Sequence, residues 1–420
     1  MTIAATLVAL ALAAGPESAP ALEKVTFQGA VRRALARNAN AVVSTEDVRR
    51  TEGILGEVRS SALPFLGLTG TYTRLDGDRL TSANTVFAPK DQRNGTALLS
   101  VPLLAPSRWA QWAHASQALD ASVANDADVR RSVAVTAARA YLTVIAERRA
   151  VAVSETARDT ARGHYDYAHA RRAGGVGNAL DELRAEQEMS ASEVQLQSAY
   201  LGLARGREAL GQIAGEDRPL DAVEEPGLPE VSGEAQALAE SDALRADVKA
   251  AQARSYVARR TYADSWTDWM PMLLGTFQGF VQDPAIAPAV RDGWQAQLIV
   301  SFSLFEGGLR PAQAKERDAI AKEAEAQLDG IVRQAHSDVR TAFESLRRSR
   351  VAFEAARRGS DSARAALDLA NKAYRAGAVD NLAVTDAEQR SRTADVSTVI
   401  AEDAVRQALL DLLAAAGRFP

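Results

Sequence analysis

The segments Arg172-Ala173-Gly174-Gly175-Val176-Gly177-Asn178 and Arg375-Ala376-Gly377-Ala378-Val379-Asp380-Asn381 each interrupt a long run without proline, Ser107 to Arg218 and Ala312 to Phe419. Proline inside a helix costs about 3 kcal/mol, so its absence amid Ala, Arg, Glu and Leu predicts very long helices. Glycine and asparagine at the interruptions predict tight turns. The chain is expected to hold two helical hairpins that look like a tandem duplication, with helices over about 106–172, 179–213, 309–375 and 382–416.

What precedes each hairpin supports the duplication. From Thr26 to about Ala62, Val31, Leu35, Val42, Val48, Ile54, Leu55 and Val58 recur at helical spacing, and Pro64 ends the helix. A stretch rich in Thr and aromatics then predicts a strand over about 64–75, a polar stretch follows over 76–94, and a second strand is expected over about 95–104. The second half repeats the order: a helix from Ala237 to about Asp264, Pro271 in the place of Pro64, and strands over about 271–282 and 294–305. In the last of these Trp294, Ala296, Leu298, Val300, Phe302 and Leu304 fall on one face, and Gln295, Gln297, Ser301 and Ser303 on the other, with Ile299 as the exception. Asn38-Ala39-Asn40 aligns with Arg245-Ala246-Asp247. The repeats are read as 22–215 and 234–420, joined by a connector over 216–233 that carries Pro219, Pro226, Pro229, Gly227 and Gly233.

Ile320, Ala324, Leu328, Ile331, Ala335, Val339, Ala342 and Leu346 follow an eleven-residue spacing, with part of the same ladder at Val129, Val133, Ala137, Ala140 and Val144. That period, about 3.67 residues per turn, predicts nearly straight packed helices that suit the wall of a cylinder.

Composition narrows the function classes. Hydrophobic residues make up 47% and aromatics only 5%, which suits thin helix-on-helix seams rather than one thick core. The net charge of -5, with Arg interleaved among Glu and Asp, gives no nucleic-acid footprint. The lack of cysteine excludes disulfides, thiolate metal sites, Cys nucleophiles and a lipidated N-terminal Cys. Ile3 to Ala14 is apolar but too short to span a bilayer, and Ala19-Pro20-Ala21 follows, so residues 1–21 read as a secretory signal that lacks the usual basic start. Any membrane span must then be made of strands. Four strands cannot close a barrel, and an open sheet in lipid leaves edge groups unsatisfied, so subunits would have to pool them.

With these elements the chain resembles the TolC-like outer membrane efflux protein family over nearly its whole length. The resemblance is carried by Ala34-Leu35-Ala36-Arg37-Asn38-Ala39-Asn40, by the junctions Leu63-Pro64 and Met270-Pro271, by Ser303-Leu304-Phe305-Glu306-Gly307-Gly308, and by Ala373-Tyr374-Arg375-Ala376-Gly377. It implies a mainly α fold with a small β part. In this plan a homotrimer forms a twelve-stranded barrel in the outer membrane, continuous with a periplasmic α-helical barrel. It further implies an exit duct for efflux or type I secretion that works with a periplasmic adaptor and an inner-membrane pump, without enzymatic activity or a cofactor. The competing reading is a soluble, elongated coiled-coil scaffold.

No catalytic or metal-binding constellation is evident. His114, His164, His169 and His336 have no carboxylate cluster to complete a metal site, and structural or solvated roles are expected for them. The Gly174 to Gly177 run joins two helices, which suits a turn and not a phosphate loop. The resemblance places pore constriction and gating at Asp386, Asp181 and Tyr374. It places adaptor contact at Gly174, Gly175, Gly177, Asn178, Gly377, Asp380 and Asn381. Ala383 and Val379 depart from residues the family often has there, which puts a double acidic ring and one inter-helix lock in doubt. The plainer alternative is that Asp181 and Asp386 are solvated acids near helix starts, where they offset the macrodipole.

Overall fold

The computed structural model describes residues 22–231, 233–285 and 290–419. The leader read over 1–21 lies outside the described residues. The chain divides into two compact units, one formed by residues 22–43, 127–246 and 333–419, the other by Ser44–Asp126 and Asp247–Val332.

The first unit opens with strand β1 (Glu23–Val25) and helix α1 (Phe27–Arg37). Thr26 caps α1 by accepting from the Gly29 backbone, 3.1 Å away. The single helix read from Thr26 to about Ala62 is two helices, because α2 (Ala39–Ser61) starts anew after Asn38 turns extended. Asn38 causes the break: its amide nitrogen donates to the Ile213 carbonyl, 3.0 Å away, and its oxygen accepts from the Asn40 backbone, also 3.0 Å away. The second half breaks at the aligned Arg245, between α5 (Glu234–Leu244) and α6 (Ala246–Ala263). The 216–233 connector is not wholly irregular, since β6 (Leu220–Ala222) pairs in parallel with β1. This pairing joins residues remote in the chain and has no local sequence signal.

The long helices are α3 (Pro106–Ala173), α4 (Ala179–Ile213), α7 (Leu309–Arg375) and α8 (Asn381–Ala415). In the first unit, Phe27 meets the Tyr141 ring edge-on at 5.4 Å, and Tyr141 donates to the Glu224 carbonyl at 2.7 Å. Leu142, Leu410 and Leu413 form a second buried cluster against Phe27, and Leu412 and Val339 belong to a third. The eleven-residue ladder does not continue along α7. From Ala335 one buried or half-buried stripe runs through Val339, Ala342, Leu346, Ser349, Phe353, Ala356, Ser360, Ala363, Leu367, Ala370 and Tyr374, alternating four and three, with His336, Asp338, Phe343, Asn371 and Ala373 half-buried beside it. A period of 3.5 keeps one stripe facing a partner only if the helices coil left-handedly. The expectation of nearly straight packing is therefore corrected for this segment. Its stripe is rich in Ala and Ser, small side chains that a sequence-only search for large apolar residues passes over.

The second unit carries an antiparallel sheet in the order β2 (Phe65–Arg74), β5 (Asp91–Leu104), β7 (Met272–Asp283), β8 (Asp292–Ser301). The polar stretch after β2 contains a further small hairpin, β3 (Arg79–Leu80) with β4 (Val86–Ala88). β8 stops at Ser301, short of the expected Phe305, because Ser301 pairs with Met272, the first residue of β7, and nothing remains beyond to pair with. The register places Leu66, Leu99, Phe277 and Ala296 in one row and Leu68, Ala97, Gly279 and Trp294 in another, on the same face. Phe277 and Trp294 stack there at 5.8 Å. Rows on the other face include Ser100, Thr276 and Gln297, and Gln278 receives a 2.7 Å hydrogen bond from Gln295. One face is thus mainly apolar, while the other mixes polar residues with Leu98, Leu274, Phe280 and Ile299. Its edge strands β2 and β8 are almost wholly exposed, and each has one backbone edge unpaired.

Candidate functional site at the helix turns

The two hairpin turns share one backbone solution. After α3, Gly175 takes a φ of 74°, and Val176 donates to the Arg171 carbonyl at 3.1 Å. After α7, Gly377 takes a φ of 73°, and Ala378 donates to the Ala373 carbonyl at 2.8 Å. These are Schellman ends, which need a left-handed residue that only glycine adopts without strain. Asn178 then caps α4 through the Leu180 backbone at 3.1 Å, and Asp380 caps α8 through Ala383 at 3.2 Å.

This geometry shifts the correspondence read from the letters by one residue. Gly175, not Gly174, is the counterpart of Gly377, and Asn178 is the counterpart of Asp380, not of Asn381. Gly174 still closes α3 by donating to the Ala170 carbonyl at 3.0 Å, while Gly177 lies so close to the Arg172 backbone that a Cβ would meet it at 2.6 Å. Asn381, spared from capping, is fully buried. Its amide nitrogen donates to the Asp181 carbonyl at 2.8 Å, and its oxygen lies 2.6 Å from His164 Nε2.

His164 is the centre of a polar cluster among the four long helices. Its Nδ1 lies 3.0 Å from Glu388 Oε2, with both side chains about 95% buried. The Tyr374 ring meets the imidazole edge-on at 5.9 Å. Beside them Arg392 donates to Glu188 and, at 2.9 Å, to Ser192. A cavity of about 170 Å³ opens onto Thr160, Glu188, Arg364, Glu388, Arg392 and Asp395. Burial opposes charge on His164, yet the hydrogen bond and charge of Glu388, helped by Asn381 and by Glu188, hold its pKa above the ordinary histidine value. Burial pushes the Glu188 carboxyl up, against the pull of Arg392.

The residues named from the resemblance fall out differently. Tyr374 is buried, packs on Tyr167 at 5.8 Å, and lies under the Arg171 guanidinium at 5.2 Å. Burial and the Asp181 charge raise its pKa against Arg171, but among the described residues no hydrogen bond joins it to Asp181. Asp386 is half exposed and pairs at 3.0 Å with Arg390, one turn along α8. Sequence reading missed Glu188, Glu388 and Arg392, and gave His164 only a bland role. The signal was available: Glu188 and Ser192, and Glu388 and Ser391, occupy stripe positions that elsewhere hold Leu, Val or Ala. His169 instead lies near the surface with Glu182, 2.6 Å away, while His114 and His336 pair with Asp264 and Asp242. No group of three or more metal-ligating side chains occurs among the described residues.

A two-faced sheet combined with paired long helical hairpins defines the class of outer-membrane channel proteins that carry helical extensions. The model of the outer membrane efflux protein family matches residues 30–216 and 235–418, so the chain belongs to that family. No curated protein sequence matches it. Among solved structures, a membrane protein from Pseudomonas aeruginosa superposes with a TM-score of 0.81 at 20% identity, covering 94% of this chain and 91% of that one. The outer membrane protein VceC of Vibrio cholerae gives 0.79 at 19% identity, with 93% and 96% covered. The open state of the Neisseria gonorrhoeae outer membrane channel MtrE gives 0.78 at 18% identity, with 93% and 88% covered. The protein is an outer-membrane exit duct for efflux, with its helical part in the periplasm, and the soluble-scaffold reading is set aside.

Proposed function

We propose that three copies pool their sheets into a closed twelve-stranded barrel, and that their helical hairpins form a passive conduit from the periplasm to the exterior. The observation that carries this is the sheet itself: four strands, one apolar face and two unpaired edges. In lipid each unsatisfied backbone group costs several kcal/mol, so the edges need partner subunits. A periplasmic adaptor is proposed to meet the chain at Gly174, Gly175, Gly177, Asn178, Gly377 and Asp380, and an inner-membrane pump to supply the energy; Asn381, expected among these contacts, is fully buried and drops out of the set. This reading has no step of bond making or breaking and needs no cofactor.

The turns are read as the narrow mouth, with Asp386 lining it and with Asp181 and Tyr374 at the contact between hairpins. Three Asp386 side chains at close quarters favour cations. Each comes with its own Arg390 neighbour, which moderates the field. Recording from the purified protein in planar bilayers tests the proposal. Discrete conductance steps and a trimer mass in detergent are expected, whereas a monomer that never conducts overturns it.

A further inference from the structure

With Glu388 as a carboxylate, hydrogen-bond chemistry at His164 calls for a proton on each ring nitrogen. Asn381 uses its amide nitrogen on the Asp181 carbonyl, which leaves its oxygen facing His164 Nε2. Glu388 presents a carboxylate oxygen to Nδ1. Both neighbours are acceptors, and a neutral imidazole can donate from only one nitrogen. The other oxygen of Glu388 is buried with no partner, so His164 is the only hydrogen-bond donor this carboxylate has among the described residues.

We infer that His164 is a proton-dependent latch that ties the α3–α4 hairpin to the start of α8 beside the turns. With the proton in place, one imidazolium joins α3 to α8 through Glu388 and Asn381, and Asn381 carries the tie on to α4 at Asp181. Without it, one lone pair of the ring faces an acceptor in a buried site, and the Glu388 side chain has its only donor among the described residues weakened or gone. A buried polar group left in that state costs roughly 1–3 kcal/mol, and more when charged, and separation of the hairpins relieves it by admitting water.

The charged and titratable groups that face His164 come from all four long helices. From α4 the charges are Glu188 and Asp181, from α8 Glu388 and Arg392, from α7 the Tyr374 ring, and from its own helix Arg171, which lies over Tyr374. Arg392 is engaged by Glu188 and Ser192 and so cannot take over the Glu388 carboxylate in the latched arrangement. The raised histidine pKa agrees with this geometry. Its sign sets the direction: the latch holds below the ordinary histidine value near 6.5 and releases as pH rises through the raised value.

The inference rests on the reading of the turns as the mouth of the duct, and single-channel recording of the full-length protein between pH 6 and 9 separates the two. Open probability of the wild type is expected to rise with pH, the closed-to-open ratio changing about tenfold for each unit by which the latch raises the histidine pKa. His164→Gln should abolish that dependence, and Glu388→Gln, which keeps the shape and removes the charge, should move the midpoint to lower pH. Channels that conduct with the same pH profile in wild type and His164→Gln, or an unmoved midpoint in Glu388→Gln, overturn the latch and leave the duct standing. Absence of any channel activity overturns the duct reading and the latch with it. Imidazole ¹⁵N spectra supply a second readout: two protonated nitrogens at His164 at pH 7 are expected, and one bare nitrogen overturns the inference.

Discussion

Gly175 and Gly377 hold φ values of 74° and 73° at the ends of two different hairpins, in turns closed by the same pair of backbone hydrogen bonds. An L-residue in this conformation costs roughly 1–2 kcal/mol, because its Cβ crowds the following carbonyl. Gly175→Ala and Gly377→Ala should each destabilise their hairpin by about that amount, while Gly377→Asn should cost less. Chemical unfolding followed by far-UV circular dichroism measures it, and an unchanged midpoint for Gly377→Ala would contradict the left-handed assignment.

The one-residue shift between letters and geometry separates Asp380 from Asn381. Asp380→Ala removes an exposed cap and should cost about 1 kcal/mol. Asn381→Ala strips a donor from the Asp181 carbonyl and an acceptor from His164, a loss of roughly 1–3 kcal/mol for each group left unpaired. Local hydrogen exchange at the first turn of α8 should rise more in the second variant; the reverse order would restore the alignment suggested by the letters.

The two faces of the sheet should respond oppositely to charge. Leu298→Arg lies in the apolar rows and should lower the yield of membrane-inserted protein, since a basic residue on the lipid side costs about 2–4 kcal/mol near the midplane. Gln297→Arg, its neighbour on the opposite face, should insert normally and shift ion selectivity toward anions. Membrane fractionation and reversal potentials read the two effects.

At the proposed mouth, Asp386→Ala should weaken block by multivalent cations, whereas Arg390→Ala should strengthen it by removing the counter-charge beside Asp386. Concentration dependence of block in planar bilayers checks both, and an unchanged block in the two variants would place the pair off the pore.

Glu182 offers an acid-side counterpart to the alkaline latch. Hydrogen bonds from His169 and then Arg172 hold its carboxyl below the ordinary value. A group with a depressed folded pKa contributes stability above its unfolded pKa, near 4.5, and loses it as pH falls through the lower folded value. Glu182→Gln should therefore weaken the end of the α3–α4 hairpin at pH 7 and make no difference at very low pH, a comparison that thermal unfolding at the two pH values makes directly.

Much of the fold could be read from residue order because its signals are local. Missing proline marked the long helices, Pro64 and Pro271 marked the entries to the strands, and alternation from Trp294 to Val300 marked an apolar face. What escaped depends on distant partners. The break at Asn38 is made by the Ile213 carbonyl, the pairing of β1 with β6 joins segments far apart in the chain, and the end of β8 is set by where β7 begins. The site was harder still: Glu388 looks like any helix-surface acid until the alternation of three and four places it on the buried stripe. Asn381 looked like a turn residue because the second turn repeats the letters of the first one position out of step.

The strand order β2-β5-β7-β8 also bears on how copies of the chain join. With four antiparallel strands the two outer ones run in opposite directions, so in the proposed ring β8 of one copy would meet β2 of the next in antiparallel register. The seam between subunits then has the same hydrogen-bond geometry as the pairings inside each subunit. Because β2 and β8 are different surfaces, the joint is head-to-tail: a face-to-face dimer through either strand would leave the other exposed. Only a ring uses both edges of every copy, and the tilt and stagger of the strands would set how many copies complete the circle.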